Sequence, residues 1–123
     1  MLLRLSLTAF IALSTPASAF IVTNDDGGTI GTYLARLHRV SGERIVIDGK
    51  CASACTLYLS GDACATDRAR LIFHAATHPA GTRLLMASYP PRVQQWIEES
   101  GGLSSRLLVA DGPTAQRLIG ACS

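Results

Sequence analysis

The sequence predicts a small α/β domain with a short parallel sheet flanked by helices. Three observations support this fold class. Short β-branched runs alternate with segments whose apolar residues recur every three or four positions, and polar or glycine-rich turns separate them. No internal repeat or linker divides the chain, and 123 residues suffice for one compact domain but not for two.

The N-terminus has the pattern of a secretory signal peptide. Arg4 precedes an apolar stretch over residues 5–13, and Ala17-Ser18-Ala19 provides the small residues of a cleavage site. We expect cleavage after Ala19 and a periplasmic or secreted domain over residues 20–123. The apolar stretch is too short to remain as a membrane span, and no cysteine follows it to accept a lipid, so we expect no membrane anchor.

The first βα unit begins with residues 20–23, a short β-rich run. The turn-forming segment Asn24-Asp25-Asp26-Gly27-Gly28 ends this strand. Apolar residues then recur at helical spacing, namely Ile30, Tyr33, Leu34, Leu37 and Val40. The spacing predicts a helix that begins near Thr29 and stops near Ser41-Gly42.

The second βα unit begins with Ile45-Val46-Ile47, a run typical of a strand buried on both faces of a parallel sheet. The next segment, Gly49-Lys50-Cys51-Ala52-Ser53-Ala54-Cys55-Thr56, leads into a predicted helix that ends near Gly61. Ser53 therefore lies among small residues at a strand-to-helix junction. It is either the N-cap of that helix or a serine nucleophile at an elbow where a substrate carbonyl can approach.

The rest of the chain contains shorter predicted elements. Strands are expected at residues 63–66 and 71–73, and His74 follows the second of them. Tyr89-Pro90-Pro91 introduces a helix that Gly101-Gly102 ends, and a last short helix is expected at residues 113–119.

Sites in α/β sheets form at the carboxyl ends of the strands. Three features follow strand ends in the predicted sheet: the Gly27-Gly28 turn, Ser53 and His74. We therefore expect these features to lie at one edge of the sheet.

The three features resemble the ClpP/crotonase-like superfamily, which includes the proteolytic subunit of Clp protease. The resemblance rests on Asn24-Asp25-Asp26-Gly27-Gly28, Gly49-Lys50-Cys51-Ala52-Ser53-Ala54 and Leu71-Ile72-Phe73-His74, and it covers roughly residues 21–74. It implies a truncated ClpP/crotonase-like fold, because the family's strands and helix before the Gly-Gly turn have no counterpart here. The chain also resembles a group of small secreted bacterial proteins with a Cys-x-Ser-Ala-Cys-Thr core.

The resemblance also implies the role of each site residue. Ser53 would be the nucleophile and His74 its general base, and the backbone amides of Gly28 and Ala54 would form the oxyanion hole. The family uses a carboxylate to orient the histidine. Counting forward from Gly101-Gly102 gives Asp111 as this acid, whereas counting back from Gly112-Pro113 gives Leu103, which cannot serve. Asp111 is alternatively an ordinary turn residue.

The four cysteines, Cys51, Cys55, Cys64 and Cys122, all lie in the predicted exported part. Two disulfides are expected in an oxidising compartment, with three connectivities open. We favour Cys51 with Cys64, because each would lie near the end of one of two neighbouring strands. A metal site built from Cys51, Cys55, Cys64, His74 and His78 is the weaker alternative, since no Cys-x-x-Cys pair is present and export favours oxidised sulfur. We expect no cofactor.

Charge and composition narrow the function classes. The formal net charge is +2, and the basic residues are scattered without accompanying aromatic residues, so nucleic-acid binding is not expected. The first functional hypothesis is an exported serine hydrolase that acts on a peptide or acyl substrate. The alternative is a non-catalytic relative that binds a peptide, an acyl ligand or a protein partner. A sheet this small leaves edges uncovered, so we also expect a homo-oligomer.

Overall fold

A computed structural model describes residues 6–11 and 18–123 of the chain. Residues 6–11 form neither helix nor strand. Most of the expected signal peptide, residues 1–5 and 12–17, lies outside the described residues, so cleavage after Ala19 stays a prediction. None of the described helices is long and apolar enough to cross a membrane.

The described chain contains five strands, four α-helices and one 3-10 helix. In order they are β1 (Ala19–Asp25), α1 (Ile30–Arg39), β2 (Arg44–Ala52), the 3-10 helix (Ser53–Ser60), β3 (Ala63–Ala65), β4 (Arg70–Phe73), α2 (Pro79–Ser88), α3 (Pro91–Glu99), β5 (Leu108–Asp111) and α4 (Gly112–Ile119). The expected α/β class is therefore confirmed at the level of a mixed α/β domain.

All five strands form one sheet in the order β1-β2-β4-β5, with β3 beside the first half of β2. Strands β1 to β4 run parallel, as expected, whereas β5 is antiparallel to β4. The expectation of a wholly parallel sheet is wrong at β5. The reason is that Leu108 pairs with Phe73, so β5 begins at the edge where β4 ends and runs back along it.

Two helical segments differ from the sequence expectations. Residues 53–60 form a 3-10 helix rather than an α-helix. Helix α2 was not expected at all, because Gly81 and Thr82 are weak helix formers and its apolar pattern is short. Pro79 in its first turn is nevertheless a helix-start signal, since the fixed φ of proline suits that position and its missing N–H costs nothing there.

Aromatic rings fill the core on both sides of the 3-10 helix. Tyr58 is buried and packs against Phe20 and Tyr33, with ring centroids 5.3 and 5.5 Å away. Phe73, the last residue of β4, packs against Tyr89 at 5.3 Å and Trp96 at 5.8 Å. These contacts fix the end of β4 against the segments that follow it.

An irregularity interrupts the pairing of β1 with β2 beside Gly49. Val22 pairs with Ile47 and Asn24 with Lys50, so β2 has one extra residue between these pairs. Ile45, Ile47 and Cys51, at alternate positions of β2, are buried, and Gly49 lies between the last two on the same alternation. A Cβ atom at Gly49 would lie only 2.0 Å from the Thr23 carbonyl oxygen.

Gly49→Ala is therefore expected to destabilise the domain by about 1–3 kcal/mol, because the methyl group cannot enter without moving the β1 backbone. Urea denaturation measures the loss. Gly31→Ala is the matched control, because the Cβ position at Gly31 in α1 has no neighbour within 4 Å. That substitution should stabilise the helix by about 0.5–1 kcal/mol. Equal effects of the two substitutions would contradict the prediction.

The cysteines form two disulfides, Cys51–Cys55 and Cys64–Cys122. The favoured Cys51–Cys64 pairing is wrong. Cys64 lies opposite Val46, and Cys51 is five residues further along β2, a distance of about 16 Å. A disulfide requires Cα atoms within about 7 Å. With both bonds formed, none of the four sulfurs is available as a metal ligand.

Candidate functional site

The ends of three neighbouring parallel strands meet at one edge of the sheet. Strand β1 ends at Asp25, just before the Gly27-Gly28 turn, β2 runs into Ser53, and β4 runs into His74. The register places Asp25 beside Cys51, and Ala52 beside Ile72. The turn, the serine and the histidine therefore follow strand positions that are level across the sheet.

These residues line one cleft of about 450 Å³. Gly28, Ser53, Ala54 and His74 are all part of its surface. The other lining residues come from the start of α1, the loop after His74 and helix α2: Thr29, Ile30, Ala75, Ala76, Thr77, His78, Gly81 and Leu85. The volume is in the range of small-ligand pockets.

Ser53 has an unusual backbone conformation. Its φ is +57°, and among the residues that the structure describes it is the one non-glycine residue with a positive φ. Ala52, not Ser53, is the N-cap of the 3-10 helix, so the N-cap interpretation of Ser53 is wrong. A left-handed serine costs of order 1–3 kcal/mol and persists only where the surroundings impose it. Such a conformation at a strand-to-helix turn is typical of a nucleophile elbow, where it projects the hydroxyl out of the sheet.

Covalent and polar contacts hold this elbow from both sides. The disulfide between Cys51 and Cys55 closes a short loop around Ser53, and both cysteines are fully buried. On the other side, the Thr56 hydroxyl donates to the Ser53 carbonyl oxygen at 2.6 Å and lies 2.6 Å from the Tyr89 hydroxyl. Burial raises the pKa of Tyr89 to about 12, so its hydroxyl stays protonated and donates to Thr56.

Thr56→Val should destabilise the domain by about 2 kcal/mol, because it leaves the Ser53 carbonyl and the Tyr89 hydroxyl without their buried partner. Thr56 is fully buried, and valine keeps its shape. Thr56→Ser keeps the hydroxyl and should cost less than Thr56→Val. Chemical denaturation of the three proteins measures the difference. A serine variant as unstable as the valine variant would show that packing, not the hydrogen bond, determines the cost.

The Gly27-Gly28 turn contacts the elbow through its backbone. Gly27 has a φ of +90°, and a Cβ atom there would lie 2.8 Å from the Ser53 Cβ and 2.6 Å from the Ala52 carbonyl oxygen. Only glycine fits this approach. The Gly27 N–H donates to Asp25 Oδ1 at 2.9 Å, and the Tyr33 hydroxyl donates to the same oxygen. Burial, with the Asp25 carboxylate adding to it, raises the pKa of Tyr33 to about 12, so this donor is retained at neutral pH.

Two backbone N–H groups near Ser53 are candidates for an oxyanion hole. Gly28 N–H donates to no acceptor within the described residues. Ala54 lies in the first turn of the 3-10 helix, where N–H groups have no partner within the helix. Both residues line the cleft beside Ser53. An oxyanion that forms on a carbonyl attacked by Ser53 could therefore accept from these amides without breaking a hydrogen bond.

The ring of His74 is held by its own loop. Its Nδ1 lies 2.8 Å from the carbonyl oxygen of Ala75, which can only accept, so Nδ1 carries the proton and Nε2 is left as the acceptor. The Ala75 N–H donates to the Ser104 carbonyl at 2.7 Å, and the Ala76 N–H donates to Thr82 Oγ1 at 3.0 Å. Ser53 Oγ makes no hydrogen bond within the described chain, to His74 or to any other group.

Asp111 does not lie behind His74, which corrects its expected role as the acid. It pairs with Arg70 across β4 and β5, at the opposite end of β4 from His74, about 13 Å away. Its carboxylate lies 3.8 Å from Arg70 Nε at the exposed surface. The physical reason is the antiparallel direction of β5, which takes its last residue away from the site edge. A backbone carbonyl, that of Ala75, occupies the orienting position instead.

The sequence missed several residues that shape the site. His78, expected in a loop, is the exposed N-cap residue of α2 and lines the cleft. Thr56, Tyr89 and the Ala75 carbonyl carried no sequence signal, because each acts through a contact that only the folded chain creates. Gly81 could have been noticed as a glycine inside a helix, which often marks a close approach.

Comparisons with known proteins give no relative for this chain. No protein-family description matches it, no curated protein is similar to it, and no solved structure has a matching fold. Evidence for a function therefore lies in the site itself.

Proposed function

We propose that this chain is an exported serine hydrolase that cleaves a peptide or ester bond. Ser53 is the nucleophile, His74 is the general base, and the amides of Gly28 and Ala54 stabilise the oxyanion. The single observation that carries the proposal is the positive φ of Ser53 at the end of β2, within the cleft that His74 also lines. A strained serine with a histidine and unpaired amides around it matches the requirements of acyl transfer.

The proposed reaction follows from these groups. Ser53 Oγ attacks the substrate carbonyl carbon as His74 Nε2 takes the hydroxyl proton. The resulting oxyanion accepts hydrogen bonds from Gly28 and Ala54. The tetrahedral intermediate then expels the amine or alcohol, which receives the proton from His74, and an acyl group remains on Ser53. His74 then takes a proton from a water molecule as the water oxygen attacks the ester carbonyl carbon. The bond to Ser53 Oγ breaks, the acid leaves, and His74 returns the proton to Ser53 Oγ.

The orienting group for His74 is, in this proposal, the Ala75 carbonyl rather than a carboxylate. A neutral carbonyl holds the tautomer, which is one part of the role that a triad carboxylate has. It stabilises the imidazolium less than a full negative charge does. We therefore expect a slow enzyme compared with one that has a complete triad.

A fluorophosphonate probe tests the proposal directly. The probe reacts with activated serines, and peptide mass spectrometry identifies the modified residue. We expect an adduct at Ser53 in the folded protein and none after denaturation, because the isolated serine hydroxyl is a weak nucleophile. A folded protein that takes no adduct at Ser53 would contradict the proposal.

One observation favours a second function, a non-catalytic protein that binds a peptide, an acyl ligand or a protein partner in the same cleft. Ser53 Oγ has no hydrogen bond to His74 in this structure, so base and nucleophile are not engaged. Catalytic hydrogen bonds often tighten only when substrate binds, so both functions fit this geometry. Loss of biological activity in a folded Ser53→Ala variant would contradict the binding function.

The disulfides support the proposed compartment, and the three features at the sheet edge support the proposed fold family. Two disulfides in so small a domain are typical of the periplasm or the extracellular space. We propose export with cleavage near Ala19. We also propose a shortened ClpP/crotonase-like fold, supported by the level placement of the Gly27-Gly28 turn, Ser53 and His74 at one sheet edge.

Self-association is a further part of the proposal. Strands β1 and β5 are the first and last in the order β1-β2-β4-β5, and apolar side chains are exposed on both, with Ile21 on β1 58% and Val109 on β5 36% exposed. Unprotected edges of this kind pair readily with another chain. We expect light scattering to show a homo-oligomer, and Ile21→Lys to lower its mass by charging one edge. A monomer at every concentration would contradict this expectation.

A further inference from the structure

In the part of the chain that the structure describes, no residue that lines the cleft around Ser53 carries a permanent charge. These lining residues include no aspartate, glutamate, lysine or arginine, and His74 and His78 are the only ionisable groups among them. A charged group that entered this cleft would lose water without gaining a counter-ion, which is unfavourable. In the turn beside the cleft, Asp26 is ion-paired with Lys50, and the Asp25 carboxylate accepts from Gly27 and Tyr33. The Asp25 charge would further oppose an anionic ligand.

Helix α2 forms an apolar wall opposite the elbow. Leu85 is buried and faces the cleft, and Ile30 at the start of α1 lies across from α2. Gly81 determines how closely the two sides approach. A Cβ atom there would lie 2.9 Å from the Ala76 Cβ and 3.1 Å from Ile30 Cδ1, both tighter than ordinary contacts. Any side chain at Gly81 must therefore displace Ile30 or the loop that carries His74.

We propose that the cleft accepts an uncharged, apolar acyl group of limited length, and that Gly81 with Ile30 sets this limit. The inference rests on the proposed hydrolase function and adds the substrate class of the same site. The neutral lining selects against charge, and the close approach of Gly81 to Ile30 limits the space on that side of the cleft. Gly81 is a specificity-determining residue in this account, because it shapes the cleft without touching the reacting atoms.

A series of p-nitrophenyl esters tests the substrate class. Each reaction forms an acyl bond to Ser53 and releases p-nitrophenolate, and water then releases the acid. We expect kcat/KM for the butyrate ester to exceed that of the succinate monoester, of similar size but anionic, by about tenfold or more. The octanoate ester should also react about tenfold more slowly than the butyrate ester.

Charge variants separate the lining of the cleft from the rest of the surface. Thr77 is exposed and lines the cleft, so Thr77→Lys adds a cation there with little risk to folding. It should raise the succinate rate relative to butyrate about threefold, as expected for an exposed ion pair. Ala80→Lys is the matched control, because Ala80 is exposed on α2 outside the cleft and should leave the ratio unchanged.

The length limit is tested with Gly81→Ala. The added methyl should displace Ile30 and lower the ratio of butyrate to acetate turnover, and Ile30→Ala in the same chain should restore it. An unchanged ratio in Gly81→Ala would overturn the role of Gly81.

Failure of the substrate class differs from failure of the hydrolase function. Hydrolysis of succinate as fast as butyrate by the wild-type chain would overturn the substrate class while the hydrolase function stands. No hydrolysis of any ester, together with no fluorophosphonate adduct, would overturn both.

Discussion

Ser53→Ala is expected to remove fluorophosphonate labelling and to lower ester turnover by about a thousandfold or more, as loss of a serine nucleophile does elsewhere. The reason is that the cleft offers no other hydroxyl at a strained strand-to-helix turn. Ser60→Ala is the matched control, because Ser60 ends the same 3-10 helix and its hydroxyl donates to the Leu57 carbonyl, outside the cleft. Labelling that persists in Ser53→Ala would place the nucleophile elsewhere.

Three further variants test which residues act as the general base for Ser53 and as the group that orients this base. His74→Gln should lower the labelling rate strongly, because the base is lost. His78→Gln should lower it little, since His78 is exposed at the N-terminus of α2. Asp111→Asn should have no effect, because its partner is Arg70 at the far end of β4. A strong effect of Asp111→Asn would contradict the assignment of the Ala75 carbonyl as the orienting group.

Removal of the Cys64–Cys122 disulfide should cost more stability, whereas removal of the Cys51–Cys55 disulfide should cost more activity. Cys64–Cys122 spans 58 residues and Cys51–Cys55 only 4. Loop-closure entropy makes the long bond worth about 4 kcal/mol and the short one about 2 kcal/mol. The double variant Cys64→Ala/Cys122→Ala should therefore be the less stable of the two. The short bond surrounds Ser53, so Cys51→Ala/Cys55→Ala should lose more labelling relative to its folded fraction.

Urea denaturation of both double variants measures the loss of stability. Fluorophosphonate labelling without urea, at a temperature where each variant is folded, measures the loss of activity. The wild-type chain in reducing agent is not a suitable substitute, because Cys51 and Cys55 are fully buried and resist reduction in the folded state. Full labelling of the folded Cys51→Ala/Cys55→Ala variant would show that hydrogen bonds alone maintain the elbow.

Local patterns predicted much of the fold and the position of the candidate site. The β-branched run Ile45-Val46-Ile47 and the helical spacing of α1 are properties of short segments, and both elements formed where expected. The placement of Ser53 and His74 at one edge followed from a general rule about parallel sheets. These predictions required only the chain order of strands and turns.

The errors concern relations between distant segments. Cys64 lies level with Val46 because of the register between β2 and β3, which the sequence does not encode in any short pattern. The direction of β5 is a property of its long-range pairing with β4, so the place of Asp111 could not be obtained by counting residues. The apolar run Leu107-Leu108-Val109-Ala110 was a signal for a strand, but it contained no information about its partner or direction.

The packing of Phe73 provides an optical reporter of the site. Phe73 directly precedes His74, and its ring contacts Trp96, the single tryptophan of the sequence. A displacement of the His74 loop moves the aromatic surroundings of that indole, and its emission changes with them. Tryptophan fluorescence can therefore follow occupation of the cleft in real time, without a label and without turnover.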